Sequence, residues 1–374
     1  MNRLFLRGGL LLAAVLLLGL LVWLVTRPAR RRTPPPAPQV TARWKERWHD
    51  PVGSQPVGPP VWMGDGWCAA FRDGSVVAWN ADGQRRWTLR QPGNRWLAPV
   101  AAPGGVILAE EEGHLRALQA ADGAVVWFRA ERAGTLAQAP VVVKDAAQGL
   151  ARILALDAAA GVLRAFDASD GRALWQSEAC GRTDGPPAAE MPLVAFGNCE
   201  SAIHLFQVAD GRRLARIPLG GDAQVAGGMA LHDARGYVWV RGGTLVAVDL
   251  VSTSVVWRVA LGETDYFATP MADPAGDVVF TGSGTGEALA LKAADGQIAW
   301  RRRLAEGPLD PLLLAHGVLF AGGDGVLHLL QASDGAPLMR FDFGQPLTAP
   351  VAAPALADGV MVITDDGYVV VLAP

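Results

Sequence analysis

The chain has 374 residues, 51% hydrophobic and 18% charged, with 44 Gly and 26 Pro. That apolar mass excludes a disordered protein, the Gly and Pro content disfavours a helical bundle, and a net charge of −3 offers no basic surplus for nucleic acid. Three Cys are too few to build a disulfide scaffold, although they allow one bridge and one buried thiol.

An uncharged run from Gly8 to Thr26 opens the chain, between Arg7 and Arg27. At the α-helical rise such a run spans about 28 Å, enough for the hydrocarbon core of a bilayer. No small-residue cleavage site closes it, and no Cys follows to accept a lipid. The pattern predicts one N-terminal transmembrane helix within residues 1–27, then an Arg/Pro-rich linker over 28–40 that Pro34, Pro35, Pro36 and Pro38 stiffen. Arg27, Arg30, Arg31 and Arg32 after the run outnumber Arg3 and Arg7 before it, which by charge alone favours keeping the body of the protein inside.

From residue 41 onward the sequence repeats. A Pro opens a short apolar run at Pro60, Pro99, Pro140, Pro187, Pro270, Pro311 and Pro350, with Gly228 in the missing place, at spacings of 39 to 47 residues. A Gly-bearing turn follows each, from Asp73-Gly74 through Glu112-Gly113 to Asp366-Gly367, with Cys199-Glu200 as a degenerate copy. A third token sets Asp-Gly four positions before a Trp: Gly83 and Trp87, Gly123 and Trp127, Gly171 and Trp175, Gly296 and Trp300. Gly211 and Gly335 lead instead to Ala215 and Met339, while Trp257 stands without its Asp-Gly.

Each unit reads as four short strands: Pro starts the first, turns close hairpins, and the middle strands are apolar on both faces. Such a sheet needs cover on both sides, and radial repetition supplies it. The expected architecture is therefore all-β, an eight-bladed β-propeller of four-stranded antiparallel blades over 41–374. The eighth unit lacks a fourth strand, and residues 41–49, carrying Trp44 and Trp48, are expected to supply it. Trp48, Trp87, Trp127, Trp175, Trp257 and Trp300 are expected to wedge between blades.

The unit from Gly161 to Trp175 resembles the PQQ-type propeller repeat, and eight such units behind a membrane tether resemble the outer-membrane assembly factor BamB family. The resemblance covers 41–374. It implies a non-enzymatic envelope scaffold that mediates protein–protein interaction, with no cofactor, other envelope proteins as partners, the membrane contacted through the N-terminal helix, and no nucleic acid. The family's assembly-factor members are lipoproteins, whereas here a helix would anchor the propeller to the inner membrane with its body in the periplasm.

Cys180 follows the third Trp-bearing strand and Cys199 lies in a turn of the next unit, both at one end of the expected ring. A bridge would close a loop of about 20 residues and be worth roughly 3 kcal/mol, and it would place the propeller outside the cytoplasm. Two unpaired thiols are the alternative. Cys68 reads as a buried core thiol. None of the six His has metal-ligand spacing; His114, His204 and His328 recur with the repeat. At the end shared by inter-blade connections and second-to-third strand turns, Glu110, Glu111, Glu112, Asp184, Glu263 and Asp265 with Trp96, Tyr266 and Phe267 form an expected acidic, aromatic docking face. Solvated polar loops are the bland reading of the same residues. Two further functions stay open: a quinoprotein dehydrogenase binding pyrroloquinoline quinone and calcium on the axis, for which the adjacent paired cysteines and long inserts are missing, and a ligand- or polymer-binding sensor using the channel mouth near Trp96 and Tyr266.

Overall fold

A computed structural model describes residues 44–145, 149–221, 223–262, 268–315, 317–353 and 359–374; the expected membrane helix and linker lie outside them. No helix among the described residues is long and apolar enough to cross a membrane. The strands form eight four-stranded antiparallel sheets. Blades 1 to 7 take residues 61–90, 100–129, 141–176, 188–218, 225–260, 271–303 and 309–342 in turn. Blade 8 combines 351–373 with the strand Lys45–Pro51, which pairs antiparallel with Tyr368–Ala373. Each blade's inner strand touches those of the blades before and after it, and the innermost strands of blades 8 and 1 touch as well, so the sheets close into a ring.

Proline placement follows from hydrogen bonding. Pro60, Pro99, Pro140, Pro187, Pro270 and Pro350 immediately precede inner strands, where a missing N–H breaks no ladder. Pro311 instead lies inside its strand, paired with Phe320. The middle strands, such as Gly66–Ala70 and Gly317–Gly322, are buried throughout, and eight apolar clusters between successive blades make up the core. With burial on both faces, no blade has a solvent side to be polar.

Six tryptophans fasten neighbouring blades. The indole N–H of Trp48, Trp87, Trp127, Trp175, Trp257 and Trp300 donates to a turn carbonyl of the following blade, at Ala81, Ala120, Ala168, Val208, Ala293 and Ala332, over 2.8–3.1 Å. The ring lies on that turn's glycine: a Cβ at Gly83, Gly123, Gly171, Gly211, Gly296 or Gly335 would stand less than 3.0 Å from it. These glycines are thus required twice, by positive φ and by the indole. The two exceptions to the Trp pattern have local reasons. Ala215 faces a turn whose left-handed residue is Thr253, at φ 54°, and packs in the cluster holding Leu250. Met339 faces blade 8, whose outer strand comes from Lys45–Pro51 and so offers no such turn.

In blades 1 to 7 the outer strand skips one residue of register beside its Trp or the equivalent residue, as between Trp87 and Arg85 or Trp127 and Val125. These bulges twist the outer edges. At the closing strand, Asp50 accepts from Arg85 Nε and Nη2 at 2.5 and 2.8 Å and from the Trp79 indole at 2.6 Å, tying Lys45–Pro51 to blade 1. The Arg85 guanidinium holds the Asp50 carboxyl below the usual carboxylate range.

Candidate interaction face

One end of the ring is built by eight copies of a hook. After each outer strand, a backbone N–H returns to the second-to-third strand turn of its own blade: Gln91 to Gly74, Ala133 to Gly113, Cys180 to Ala160, Leu219 to Ser201, Leu261 to Gly243, Leu304 to Gly286, Phe343 to Gly325 and Val52 to Gly367, at 2.7–3.1 Å. Each hook satisfies one N–H of the connection and pins it to the turn of its own blade.

Two adjoining cavities cross this end over blades 1 to 3. One, of about 360 Å³, is lined by Arg72, Asn94, Arg95, Trp96 and Glu111; the other, of about 380 Å³, by Arg95, Glu111, Glu112, Arg132 and Asp157. At the mouth of the axis a third, of about 370 Å³, is edged by Gly58, Pro59, Gln138, Asp184, Thr269 and Asp310.

The expected acidic character is not what these residues present, because Glu110, Glu111, Glu112 and Asp184 each meet an arginine. Glu110 takes Arg116 at 2.7 Å, with both side chains largely buried. Glu111 pairs with Arg95, and Glu112 with Arg132 at 2.9 Å. Asp184 is met by Arg182 at 3.0 Å and by Arg241 at 3.5 Å. Charges therefore alternate across the face. Arg95 lies sixteen residues from its partner, a spacing no helix or strand rule would single out.

Trp96 is also a correction. Its side chain is 2% exposed, its indole donates to Gly74 O at 3.0 Å, and the Arg116 guanidinium covers its ring at 4.8 Å. It is a strut between blades 1 and 2, packed with Cys68, Val76 and Leu108, and presents no aromatic surface to a partner. Glu263, Asp265, Tyr266 and Phe267 lie outside the described residues.

The expected bridge between Cys180 and Cys199 is not made; both are free thiols, as is Cys68. Cys180 turns inward among Val143, Phe196 and Phe206 of blades 3 and 4, where Arg213 Nη2 approaches its sulfur at 2.9 Å. Cys199, half-buried, donates to Asp184 at 3.6 Å. Burial pushes both thiols up, so neither is an activated nucleophile.

Fold and face together define a class: an eight-bladed propeller of PQQ-type repeats whose loop end carries paired charges. Within that class the chain resembles the BamB family. The family model described as outer membrane protein assembly factor BamB matches residues 38–195. The outer membrane protein assembly factor BamB of Bordetella pertussis is 25% identical over 277 residues, covering 71% of this chain and 70% of that protein. Among solved structures, BamB from Moraxella catarrhalis superposes with a TM-score of 0.71 at 19% identity, over 89% of this chain and 98% of that one. The quinohemoprotein alcohol dehydrogenase of Comamonas testosteroni gives the same TM-score, 0.71, at 14% identity, over 90% and 78% of the two chains. At such identities the structures share a fold, and fold alone does not assign a function.

Proposed function

We propose that this chain is a non-enzymatic scaffold of the bacterial cell envelope, tethered by its N-terminal segment to the inner membrane with the propeller in the periplasm, and that it holds other envelope proteins during outer-membrane protein assembly. The observation that carries this reading is the pair of charge-lined cavities across blades 1 to 3, set on an end where the hooks pin each connection to its own blade. Alternating guanidinium and carboxylate groups fix register and exclude wrong partners better than they add raw affinity, which suits a reversible docking surface. The periplasmic placement rests on the likeness to BamB, since free thiols leave the compartment undecided.

Crosslinking from envelope fractions tests it. A recurrent protein partner should be captured by the intact chain and lost when Arg95 and Arg132 are both changed to Glu, with the ring still folded. A glycan or small molecule co-purifying instead would overturn the scaffold reading. The quinoprotein alternative makes a separate forecast. Cys68, Cys180 and Cys199 are far apart in sequence and none adjoins another, and the described residues bring together no group of three His, Cys, Asp or Glu fit for a cation. Dye-linked alcohol oxidation on adding the quinone and calcium would favour the enzyme.

A further inference from the structure

Outer strands are the exposed sheet edges of a propeller, and most here are guarded. Arg85–Arg90 carries three Arg, Ile298–Arg303 three, Arg213–Pro218 two and a Pro, Ser254–Ala260 one, and Pro337–Asp342 both Arg340 and Asp342; Ala173–Gln176 is only four residues long. Charge and proline discourage a foreign strand, and Ala173–Gln176 exposes no large apolar side chain for one to cover. Blade 2 is the least guarded: the one charged residue of its outer strand, Arg129, is only 19% exposed, whereas Arg258 on Ser254–Ala260 is exposed. Its outer strand, Val125–Arg129, exposes Val125 by 55%, Val126 by 51% and Phe128 by 52%. No other outer strand among the described residues exposes more than one large apolar side chain to that degree.

The strip is held rigid. Trp127 is anchored on Ala168 O, and the Phe128 ring is braced from behind by Arg116 at 5.1 Å and by His114 at 6.1 Å. Val126 sits in the register slip and is exposed, and the strand is last in its sheet, so Trp127–Arg129 is unpaired on its outer side. At the end of the strand opens a cleft of about 350 Å³ between blades 2 and 3. Arg129, Arg132 and Arg164 line it and no carboxylate does, their partners Glu131, Glu112 and Asp157 lying outside the lining. The Arg129 Nε is buried there without a hydrogen-bond partner.

We propose that the outer strand of blade 2, with the arginine-lined cleft at its end, docks an extended segment of a partner protein in which apolar residues adjoin a carboxylate. Apolar side chains of the segment cover Val125, Val126 and Phe128, its main chain pairs with the free edge, and its carboxylate enters the cleft. A second copy of the chain fits less well. Two convex rims meeting at one short strand bury far less than the roughly 800 Å² per partner of a stable interface. A free peptide needs no such area, because main-chain hydrogen bonds supply much of its affinity.

The inference is separable from the end-face reading: Arg132 borders both the cleft and an end-face cavity, whereas Val126 lies on the strand and lines neither end-face cavity, so the Val126→Lys arm tells the two apart. Full-length protein in detergent micelles is panned against a phage library of random decapeptides, and a selected peptide is synthesised with a fluorescent label. The expected result is convergence on alternating apolar residues beside Asp or Glu. Binding should weaken at least about tenfold, the worth of one buried apolar contact, in Val126→Lys and in Arg132→Glu, and stay unchanged in Ile298→Lys on blade 6. Arg132 is well exposed, so its variant keeps the test alive should Val126→Lys fail to fold. Selection without convergence, peptides lacking a carboxylate, or equal binding across the variants would overturn the proposal. So would a concentration-dependent dimer, or flotation with phosphatidylglycerol vesicles, that Val126→Lys abolishes.

Discussion

The double requirement on the turn glycines can be measured at Trp300 and Gly335. Trp300 is 5% exposed, donates to Ala332 O at 2.8 Å, and lies 2.8 Å from where a Cβ on Gly335 would stand. Removing the indole in Trp300→Ala should cost about 3–5 kcal/mol, the range for a buried aromatic truncated to Ala. Gly335→Ala meets two penalties: a left-handed backbone at φ 70°, about 1 kcal/mol, and overpacking against the ring, about 1–3 kcal/mol. In the double variant the ring is gone and only the backbone penalty remains. The double should therefore be more stable than the sum of the singles predicts, by about 1–3 kcal/mol. Equilibrium urea unfolding followed by circular dichroism reads this directly. Additivity within about 0.5 kcal/mol would show that the two residues do not share one contact and would refute the reasoning. The same logic inverts at the fourth-to-fifth blade junction, where Ala215 faces Thr253: Ala215→Trp alone should destabilise, and adding Thr253→Gly should recover most of the loss.

Asp50→Ala should lower stability by about 2–3 kcal/mol, because Arg85 and the Trp79 indole lose their shared acceptor at the closing strand; a melting temperature equal to wild type would show that this joint is not under load. His204 and His328 are buried, and burial lowers each to about 4 from 6.5, so the unfolded chain takes up protons that the folded chain refuses. Stability is complete above pH 6.5 and falls as pH drops toward 4, by roughly 3 kcal/mol per histidine; a urea midpoint that is flat across that window would refute it. In native protein an alkylating reagent should modify half-buried Cys199 first, Cys180 more slowly and Cys68 only on unfolding, and denatured, unreduced protein should take three labels; one label would reveal a bridge.

Much of the ring was legible because its signals are local and repeated. Pro at a strand start, a glycine turn and the Asp-Gly-to-Trp spacing each sit within one unit, so periodicity multiplies them. What those tokens hide is their pairing: Trp87 belongs with Gly123 of the next blade, and not with Gly83 four residues before it. The missing Trp at 215 and the missing Gly at 253 are one event seen from two blades. The interaction face was less legible for the same reason. Glu110, Glu111 and Glu112 read as an acidic run, yet Arg116, Arg95 and Arg132 reach them from a following strand and from two inter-blade connections, contacts set by the ring and not by spacing. Trp96 looked available because it lies in a connection, but its connection crosses the gap between two blades. Cys180 and Cys199 do share an end of the ring, and still one packs between blades 3 and 4 against Arg213 while the other meets Asp184.

The pairs on that face also differ in what they do for the fold. Arg116 and Glu110 are largely buried under Trp96 and Phe128, so removing either would strand a charge within the blade 1–blade 2 contact. Arg132 and Glu112 are each 61% exposed, and ion pairs in that setting contribute at most about 1 kcal/mol. The ring does not rest on them, since hooks pin the connections and tryptophans join the blades. Charge at the outer pairs can therefore be reversed without unfolding the propeller, whereas charge at the inner pair cannot. Lost partner capture in an Arg132→Glu variant that melts like wild type must then be a property of the surface, while the same loss in Arg116→Glu would only report a damaged blade.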